Sequence, residues 1–457
     1  MLYFSGEKPD ISGGKERFPV AWTVGAISLG CNKNRVDTET ALGLLKDRGF
    51  LLTDDPARAD ILLVNTCGFI DPAKEESINT ILEMAEYKKS GRCRLLVVTG
   101  CLAQRYEQSL LEEMPEIDLL LGVNQYENLP DAIEKAFAGQ RLSLCRDDHG
   151  YFEHSRVLTT PSWSAYIRIG EGCSNRCTFC AIPLIRGPYR SRPEEEILRE
   201  IRELSSRGVR EFILVAQDTT RYGTETHAHT TLPDLLRRAG EVEGADWLRV
   251  LYCYPDETRE DLLDLLADHP KVCPYLDLPI QHINRDLLRR MHRRGTREDI
   301  FRSVRGARER GLTLRTSLIV GFPGETEDQF RELLDFVEEA EFDRLGAFTY
   351  SPEEDTPAAK MPDQVPEEVK QERYDRLMSL QRKISLRRNR LRVGSVEQVL
   401  VTDTGNEGLC LGRSMREAPE TDGEILVSCG NALPSPGQFI PVRITQAADY
   451  DLKGEML

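Results

Sequence analysis

Ala165-Tyr-Ile-Arg-Ile-Gly-Glu-Gly-Cys173-Ser-Asn-Arg-Cys177-Thr-Phe-Cys180 is an apolar strand followed closely by three cysteines spaced C-x3-C-x2-C. A structural zinc site takes four closed ligands, and no fourth cysteine or histidine stands near these three. Three thiolates can instead hold three irons of a 4Fe–4S cluster and leave the fourth iron open to a ligand. The competing reading is three structural cysteines or an incomplete zinc knuckle. The cysteines follow a strand that opens a β/α series, which places them where barrel active sites form, at the C-terminal ends of the strands.

Downstream, the pattern repeats. AYIRI, EFILVA, WLRVLY, YLDLP, LTLRTSLIV and LGAFTY read as strands. Helical stretches such as Pro193–Arg207, Asp256–Ala267 and Glu327–Ala340 separate them. Six β/α units in series predict a partial (β/α)6 barrel, spanning 159–390 with its closing helix from about Glu367 to Arg392. Pro362 and Pro366 mark the boundary before that helix. From Val393 the pattern changes to short strands with Gly and Pro turns: SVEQVLVTDTG, LCLGRS, EILVSC and QFIPVRITQA. That reads as a small all-β barrel over 393–457.

Upstream, VGAISLG, ADILLVNT, RLLVVTG and IDLLLG alternate with helical stretches at Asp37–Arg48, Asp71–Lys88 and Ala103–Glu113. Apolar strands alternating with helices predict a parallel sheet covered on both faces, over 20–145. Cys31, Cys67 and Cys101 each lie just past the end of one of these strands, 36 and 34 residues apart. In an open α/β sheet those ends share one edge, where ligands bind. Three cysteines at equivalent places in successive units can therefore converge on a second metal site; coincidence is the alternative, since cysteine is a common buried residue. Cys93, Cys145, Cys253, Cys273, Cys410 and Cys429 lack ligand spacing and read as packing residues.

Bulk composition limits the class. The chain has 457 residues, of which 40% are hydrophobic and 30% charged. No apolar run approaches the ~20 residues needed to span a bilayer, and MLYFSGEKPDISGGKERFPV lacks the apolar core of a signal peptide. The expectation is a cytoplasmic protein without a membrane partner, whose clustered cysteines bind metal rather than form disulfides. A net charge of −16 gives no global signal for nucleic-acid binding.

The C-x3-C-x2-C loop after a first barrel strand resembles the signature of radical S-adenosylmethionine enzymes. In that superfamily the open iron is chelated by S-adenosylmethionine. One electron from the cluster then cleaves the sulfonium to methionine and a 5′-deoxyadenosyl radical. Phe179 resembles the aromatic residue found inside that loop. Combined with the upstream cysteines and the terminal barrel, nearly the whole chain is similar to the methylthiotransferases of this superfamily, and the small barrel resembles their TRAM domain. The resemblance implies two 4Fe–4S clusters, one on Cys173, Cys177 and Cys180 and an auxiliary one on Cys31, Cys67 and Cys101, which receives the sulfur chemistry. It implies S-adenosylmethionine as methyl donor and radical source, and an electron donor such as flavodoxin or ferredoxin.

Around the cofactor, the expected contacts are Gln217 and Asp218 after EFILVA, Gln281 (with His282 beside it) after the fourth strand, and Arg315 on the fifth. The Gly321-Phe-Pro-Gly324-Glu325 turn resembles the family's adenine-side turn, its glycines permitting close backbone approach. Ordinary hydrogen bonding at the barrel mouth is the alternative for each.

Two substrate classes exist in this family, adenosine in transfer RNA and an aspartate of ribosomal protein S-twelve. NTCGFIDPAKEESI, CAIPLIRGPYRSRP, VAQDTTRYG and DLPIQHIN resemble the ribosomal-protein class. The chain departs from that class at Asn32 and Arg35, where Pro and Leu are usual. Residues 393–457 carry 4 Lys+Arg and 10 Asp+Glu, a net of −6. An acidic barrel suits a basic protein, whether the free ribosomal protein or the assembled small subunit, better than RNA. The alternatives are transfer-RNA methylthiolation and a non-catalytic iron–sulfur factor that docks on the ribosome or RNA.

Overall fold

The computed structural model describes residues 22–146, 155–226, 230–405, 408–430 and 432–457. These fall into two compact units. One contains residues up to 176, 180–192 and 353–356; the other contains 177–179, 193–352 and 357–457.

In the first unit, β1 (Thr23–Ser28), β2 (Leu51–Leu52), β3 (Ile61–Thr66), β4 (Leu95–Gly100), β5 (Leu119–Leu121) and β6 (Leu142–Leu144) form one sheet. Its order is β2-β1-β3-β4-β5-β6, and every pairing is parallel. Alternate side chains of the strands enter different cores. Ile61 and Leu63 pack with Leu42 and Leu45 of helix Asn32–Asp47 and with Ile133 of helix Leu129–Phe137. Leu62 and Val64 pack with Ile81 and Met84 of helix Asp71–Ser90. Both faces are covered, so the strands read as continuous apolar runs. The unit also holds β7 (Ser164–Arg168) and the short antiparallel pair β8 (Gly170–Glu171) and β9 (Arg190–Ser191).

In the second unit, β10 (Glu211–Val215) pairs in parallel with β11 (Trp247–Val250). Likewise β12 (Tyr275–Asp277), β13 (Thr313–Val320) and β14 (Arg344–Thr349) are parallel neighbours. Helix Glu367–Arg390 follows. Then β15 (Val396–Thr404), β16 (Leu409–Arg413), β17 (Ile425–Ser428), β18 (Phe439–Ala447) and β19 (Leu452–Met456) close a barrel in the order β15-β16-β17-β19-β18. Its interior is Val399, Val401, Ile425, Val427, Val442 and Ile444 with their neighbours.

The fold class read from the sequence stands: a parallel α/β sheet, a partial β/α barrel series and a small all-β barrel. Individual elements differ. The first helix begins at Asn32, not Asp37, because Cys31 takes the extended N-cap conformation. The stretch Ala103–Glu113 is two helices, Cys101–Arg105 and Glu107–Glu113, broken at Tyr106 (φ −122°, ψ 34°). There Arg105 and Tyr106 are held by Glu353 and Glu354, partners far away in sequence. Strand β19, LKGEM, lacks a clear apolar pattern, yet it closes the barrel between β17 and β18.

Candidate functional site

Strands β1, β3 and β4 are adjacent, so their C-terminal ends stand side by side. Cys31 caps the helix after β1, Cys67 directly follows β3, and Cys101 directly follows β4. Packing shows how near these turns come. Gly30 has φ +84°, and a Cβ placed there would lie 2.9 Å from the Cys67 Cβ and 3.1 Å from its Sγ. Asn34 ties the turns together: its amide donates to the carbonyls of Leu29 and Thr66 at 3.0 Å each, and its Oδ1 accepts from the Cys101 thiol at 3.6 Å. Cys31 is exposed, Cys67 half-buried and Cys101 buried, so the site opens to solvent on the Cys31 side.

Among the described residues, no three His, Cys, Asp or Glu side chains adopt the tight spacing of a single-ion site. A four-iron cube offers a separate iron to each thiolate, so its ligands stand farther apart than those of one ion. Three thiols without a fourth ligand are the donor set that fits it. Burial pushes the Cys101 thiol up to about 12, with Arg186 opposing and Cys31 and Cys67 adding to the rise. Burial likewise raises Cys67. Thiolates here therefore require positive charge beside them, which irons supply.

Arg186 is the functional residue that the sequence reading missed. It ends helix Ile182–Arg186 and is 1% exposed. Its guanidinium donates to Glu171 Oε2 at 3.0 Å, Asp37 Oδ2 at 2.8 Å, Asn34 Oδ1 at 2.7 Å and Cys101 Sγ at 3.5 Å. Arg168 reinforces both carboxylates, pairing with Glu171 at 2.8 Å and also with Asp37. Burial opposes the charge on Arg186, but Cys101, Glu171 and Asp37 outweigh it and hold the group well above its ordinary pKa. The available signal was a charged residue in the otherwise apolar turn Ile182-Pro-Leu-Ile-Arg186, which can be buried only with partners.

Of the downstream cysteines, Cys173 is buried and Cys180 half-buried in the first unit, and the Cys173 amide donates to the Gly187 carbonyl at 3.0 Å. Cys177, Thr178 and Phe179 belong to the second unit. The Thr178 backbone N–H donates to Met291 O and its hydroxyl to Arg290 O. Phe179 packs against Leu287, Met291, Phe322 and Tyr350. The Cys177 sulfur accepts from Arg293 Nη1 at 3.4 Å, and that guanidinium also donates to Tyr254 Oη at 2.7 Å and Pro279 O at 2.6 Å.

The remaining predicted contacts divide. Gln217 and Asp218 lie past the end of β10, and Asp218 is fully buried, accepting from Thr220 Oγ1 and Arg294. Gln281 extends β12 along β13, bonded to Ser317 O and Ile319 N, with φ +70°. These stand at the expected edge.

The Gly321–Glu325 turn is packed by the protein itself. A Cβ on Gly321 would meet Lys370 at 2.3 Å and one on Gly324 would meet Arg290 at 2.1 Å, so protein side chains fill the space beside these glycines. Buried Glu325 is engaged by His282 Nε2 at 3.0 Å, Arg373 at 2.8 Å and the Gly321 N–H; it braces the turn.

Arg315 is paired with carboxylates of the protein. It is the third residue of the eight-residue β13, toward the N-terminal end. Its guanidinium pairs with Asp277 at 2.7 Å and faces Asp422 at 3.8 Å. Five residues of strand, about 17 Å, separate it from the edge where the cofactor contacts were expected.

Residues 23–122 match the Uncharacterized protein family UPF0004, 167–337 the Radical SAM superfamily, and 393–457 the TRAM domain. A protein of Desulforamulus reducens, "Ribosomal protein uS12 methylthiotransferase RimO", is 49% identical over 441 residues, covering 95% of this chain and 99% of its own. Proteins of the same name from Geobacter sulfurreducens and Clostridium novyi are each 48% identical, covering 95% of this chain and 98% of their own. Among solved structures, the radical S-adenosylmethionine methyltransferase TsrM of Kitasatospora setae aligns with a TM-score of 0.52 at 17% identity, covering 73% of this chain and 74% of that one. That likeness concerns the fold alone.

Proposed function

The chain belongs to the ribosomal protein uS12 methylthiotransferase family, and on that premise we propose that it replaces a β-hydrogen of one aspartate in that ribosomal protein with a methylthio group. It is a radical S-adenosylmethionine enzyme with two 4Fe–4S clusters. The observation that carries the reading is the pair of cysteine triads in one chain: C-x3-C-x2-C in a loop, and Cys31, Cys67 and Cys101 at adjoining strand ends. The clusters and S-adenosylmethionine, when bound, supply the electron, the hydrogen-abstracting radical and the methylthio group. A hydrogen on a carbon beside a carboxylate is too weakly acidic for a side-chain base at neutral pH, which is why radical chemistry suits this substrate.

The chain's own part is to hold and shield these groups. Cys173, Cys177 and Cys180 are assigned to the radical-generating cluster, and Cys31, Cys67 and Cys101 to the auxiliary one. Phe179, Gln217, Asp218 and Gln281 line the cofactor edge. Glu325 shapes the turn beside it from within, bonded to His282 and Arg373. The exposed Cys31 leaves the auxiliary site open on one side, where a protein substrate can enter. Among the described residues no helix is long and apolar enough to cross a membrane. The working environment assigned is the cytoplasm, with a low-potential flavodoxin or ferredoxin as electron donor.

The test is direct. Anaerobically reconstituted enzyme, reduced and given S-adenosylmethionine, is offered small ribosomal subunits, free uS12 and transfer RNA. Mass spectrometry should find methylthio-aspartate in the ribosomal protein. Methylthio-adenosine in the transfer RNA, with the aspartate unmodified, overturns the substrate assignment.

A further inference from the structure

Between Cys180 and Gly187 the chain makes one short excursion. Ala181 and Ile185 pack with Val123 against Cys101 itself. Arg186 then turns inward, and Gly187 accepts the Cys173 amide. Within seven residues the segment leaves one cysteine of the loop motif, covers a cysteine of the strand-edge triad, and returns beneath another cysteine of the loop.

Arg186 joins these parts by charge as well. One nitrogen reaches the Cys101 sulfur, Asn34 Oδ1 and Asp37; the other reaches Glu171, two residues before Cys173. Asn34 in turn holds the turns that carry Cys31 and Cys67. Two arginines, Arg168 and Arg186, face two carboxylates, Asp37 and Glu171, in a buried and nearly neutral group. Of this group, Arg186 donates a guanidinium N–H to a triad sulfur, that of Cys101.

We propose that Arg186 is the positioning residue of the strand-edge triad: it holds Cys101 for the auxiliary cluster and favours the reduced state of that cluster. This rests on the reading that the triad binds a cluster. A positive charge beside a cluster stabilises the electron added on reduction, and its removal also leaves Asp37 and Glu171 with Arg168 as their shared cation, a group one negative charge in excess. Both changes lower the midpoint potential. Lysine would keep the charge but lose the planar fork that spans four partners.

The test uses the full chain carrying Cys173→Ala, Cys177→Ala and Cys180→Ala, so that iron remains only at the strand-edge triad. Potentiometric titration followed by electron paramagnetic resonance reads that cluster alone. Arg186→Gln is expected to weaken reduction at least tenfold, about 59 mV for one electron. Arg186→Gln with Asp37→Asn removes the acid together with its partner; it tolerates burial better and should fall by a smaller amount. Arg186→Lys should stay near the parent potential but release iron to a chelator several-fold faster, because the fork no longer holds Cys101. An unchanged potential in either glutamine variant overturns the proposal. So does an unchanged release rate in Arg186→Lys, which decides the matter even if both glutamine variants fail to fold. If the parent background itself holds no iron, the reading of the triad fails and this inference with it.

Discussion

Cys173, Cys177 and Cys180 lie within one eight-residue loop, whereas Cys31, Cys67 and Cys101 are spread over three strand ends. In each set a sulfur stands beside an arginine, the buried Arg186 at Cys101 and the half-buried Arg293 at Cys177, and the surroundings of the two arginines differ. Arg186 stands among Asp37, Glu171 and Arg168. Arg293 donates to the Cys177 sulfur, the Tyr254 hydroxyl and the Pro279 carbonyl, with no carboxylate among these partners, and stacks 4.3 Å over the Tyr254 ring. Burial opposes its charge, yet Tyr254 and Cys177 keep it raised above its ordinary pKa. The strand-edge site thus sits beside a nearly neutral charge network, and the loop site beside a cation compensated by weaker dipoles. A cluster that must be reduced before it can act gains most from the second arrangement.

The largest expected effect comes from deleting either set. Replacing Cys173, Cys177 and Cys180 with Ala should lower iron from about eight to about four per chain and abolish formation of 5′-deoxyadenosine. Replacing Cys31, Cys67 and Cys101 should also leave about four irons while S-adenosylmethionine cleavage survives and methylthio transfer is lost. The comparison breaks if either replacement removes all the iron, or if the second still yields methylthiolated product.

The two sites were not equally legible in sequence. A loop motif is local, so spacing alone reveals it. The strand-edge triad is legible only through topology: once β1, β3 and β4 are read as parallel neighbours, residues 36 and 34 apart must share an edge. Arg186 and Arg293 stayed hidden because their partners, Asp37 and Tyr254, are 149 and 39 residues away. The place of Arg315 along its strand was hidden for a related reason. A sequence shows that an arginine lies on a strand, but its distance from the strand's end depends on where pairing begins. Element boundaries failed where tertiary ties decide them, as at Tyr106, while β19 had too little apolar pattern to be seen without its partners.

Next in size is the effect of Arg293 itself. Arg293→Gln removes the cation at Cys177 and leaves Tyr254 and Pro279 short of a donor. At a fixed poise the reduced signal of the loop cluster should drop, and S-adenosylmethionine cleavage should slow by about tenfold, a barrier change near 1.4 kcal/mol. Arg293→Lys should restore part of the signal. Equal loss in both variants would show that geometry, not charge, distinguishes the two sites.

A third buried group sharpens the contrast because it stands at the opposite ends of the strands. Glu211, the first residue of β10, is fully buried between Arg249 (3.2 Å) and Arg413 (2.6 Å). Burial alone would raise its pKa, but Arg413 and Arg249 overcome it and hold the carboxyl at about 2 instead of 4.5. A folded pKa below the unfolded one means stability that is present above pH 4.5 and is lost as pH falls toward 2. Between pH 5 and pH 3 this group should account for roughly 2 kcal/mol of lost stability. Glu211→Gln should unfold more easily at neutral pH, since it strands two arginines, and should show a flatter acid dependence in thermal or denaturant unfolding. Since Glu211 opens β10, at the end opposite Gln217 and Asp218, cleavage per folded molecule should not change; a changed cleavage rate would mean that the two ends of this strand are not separable.

The smallest effect separates acids inside the terminal barrel region from those outside. The net of −6 over residues 393–457 does not all face outward, because Asp422 and Glu417 are internal. The Asp422 side chain is 1% exposed, accepts from Tyr275 Oη at 2.6 Å and from the Ala418 N–H at 2.8 Å, and has its pKa raised by burial. Glu417 is held by Arg344 and Arg392. Reversing Asp422 therefore damages folding and reports nothing about a partner. Glu424 is different: it is half-buried, and its side chain accepts a weak bond from Thr402 at 3.4 Å. Glu424→Lys should leave S-adenosylmethionine cleavage intact and slow capture of a basic ribosomal protein by about twofold at low salt. The difference should fade as ionic strength rises, since exposed charges are screened within ~8–10 Å at physiological salt. Association rates measured across a salt series check this. Faster capture by the lysine variant would mean that this face meets a phosphate backbone instead of a basic protein.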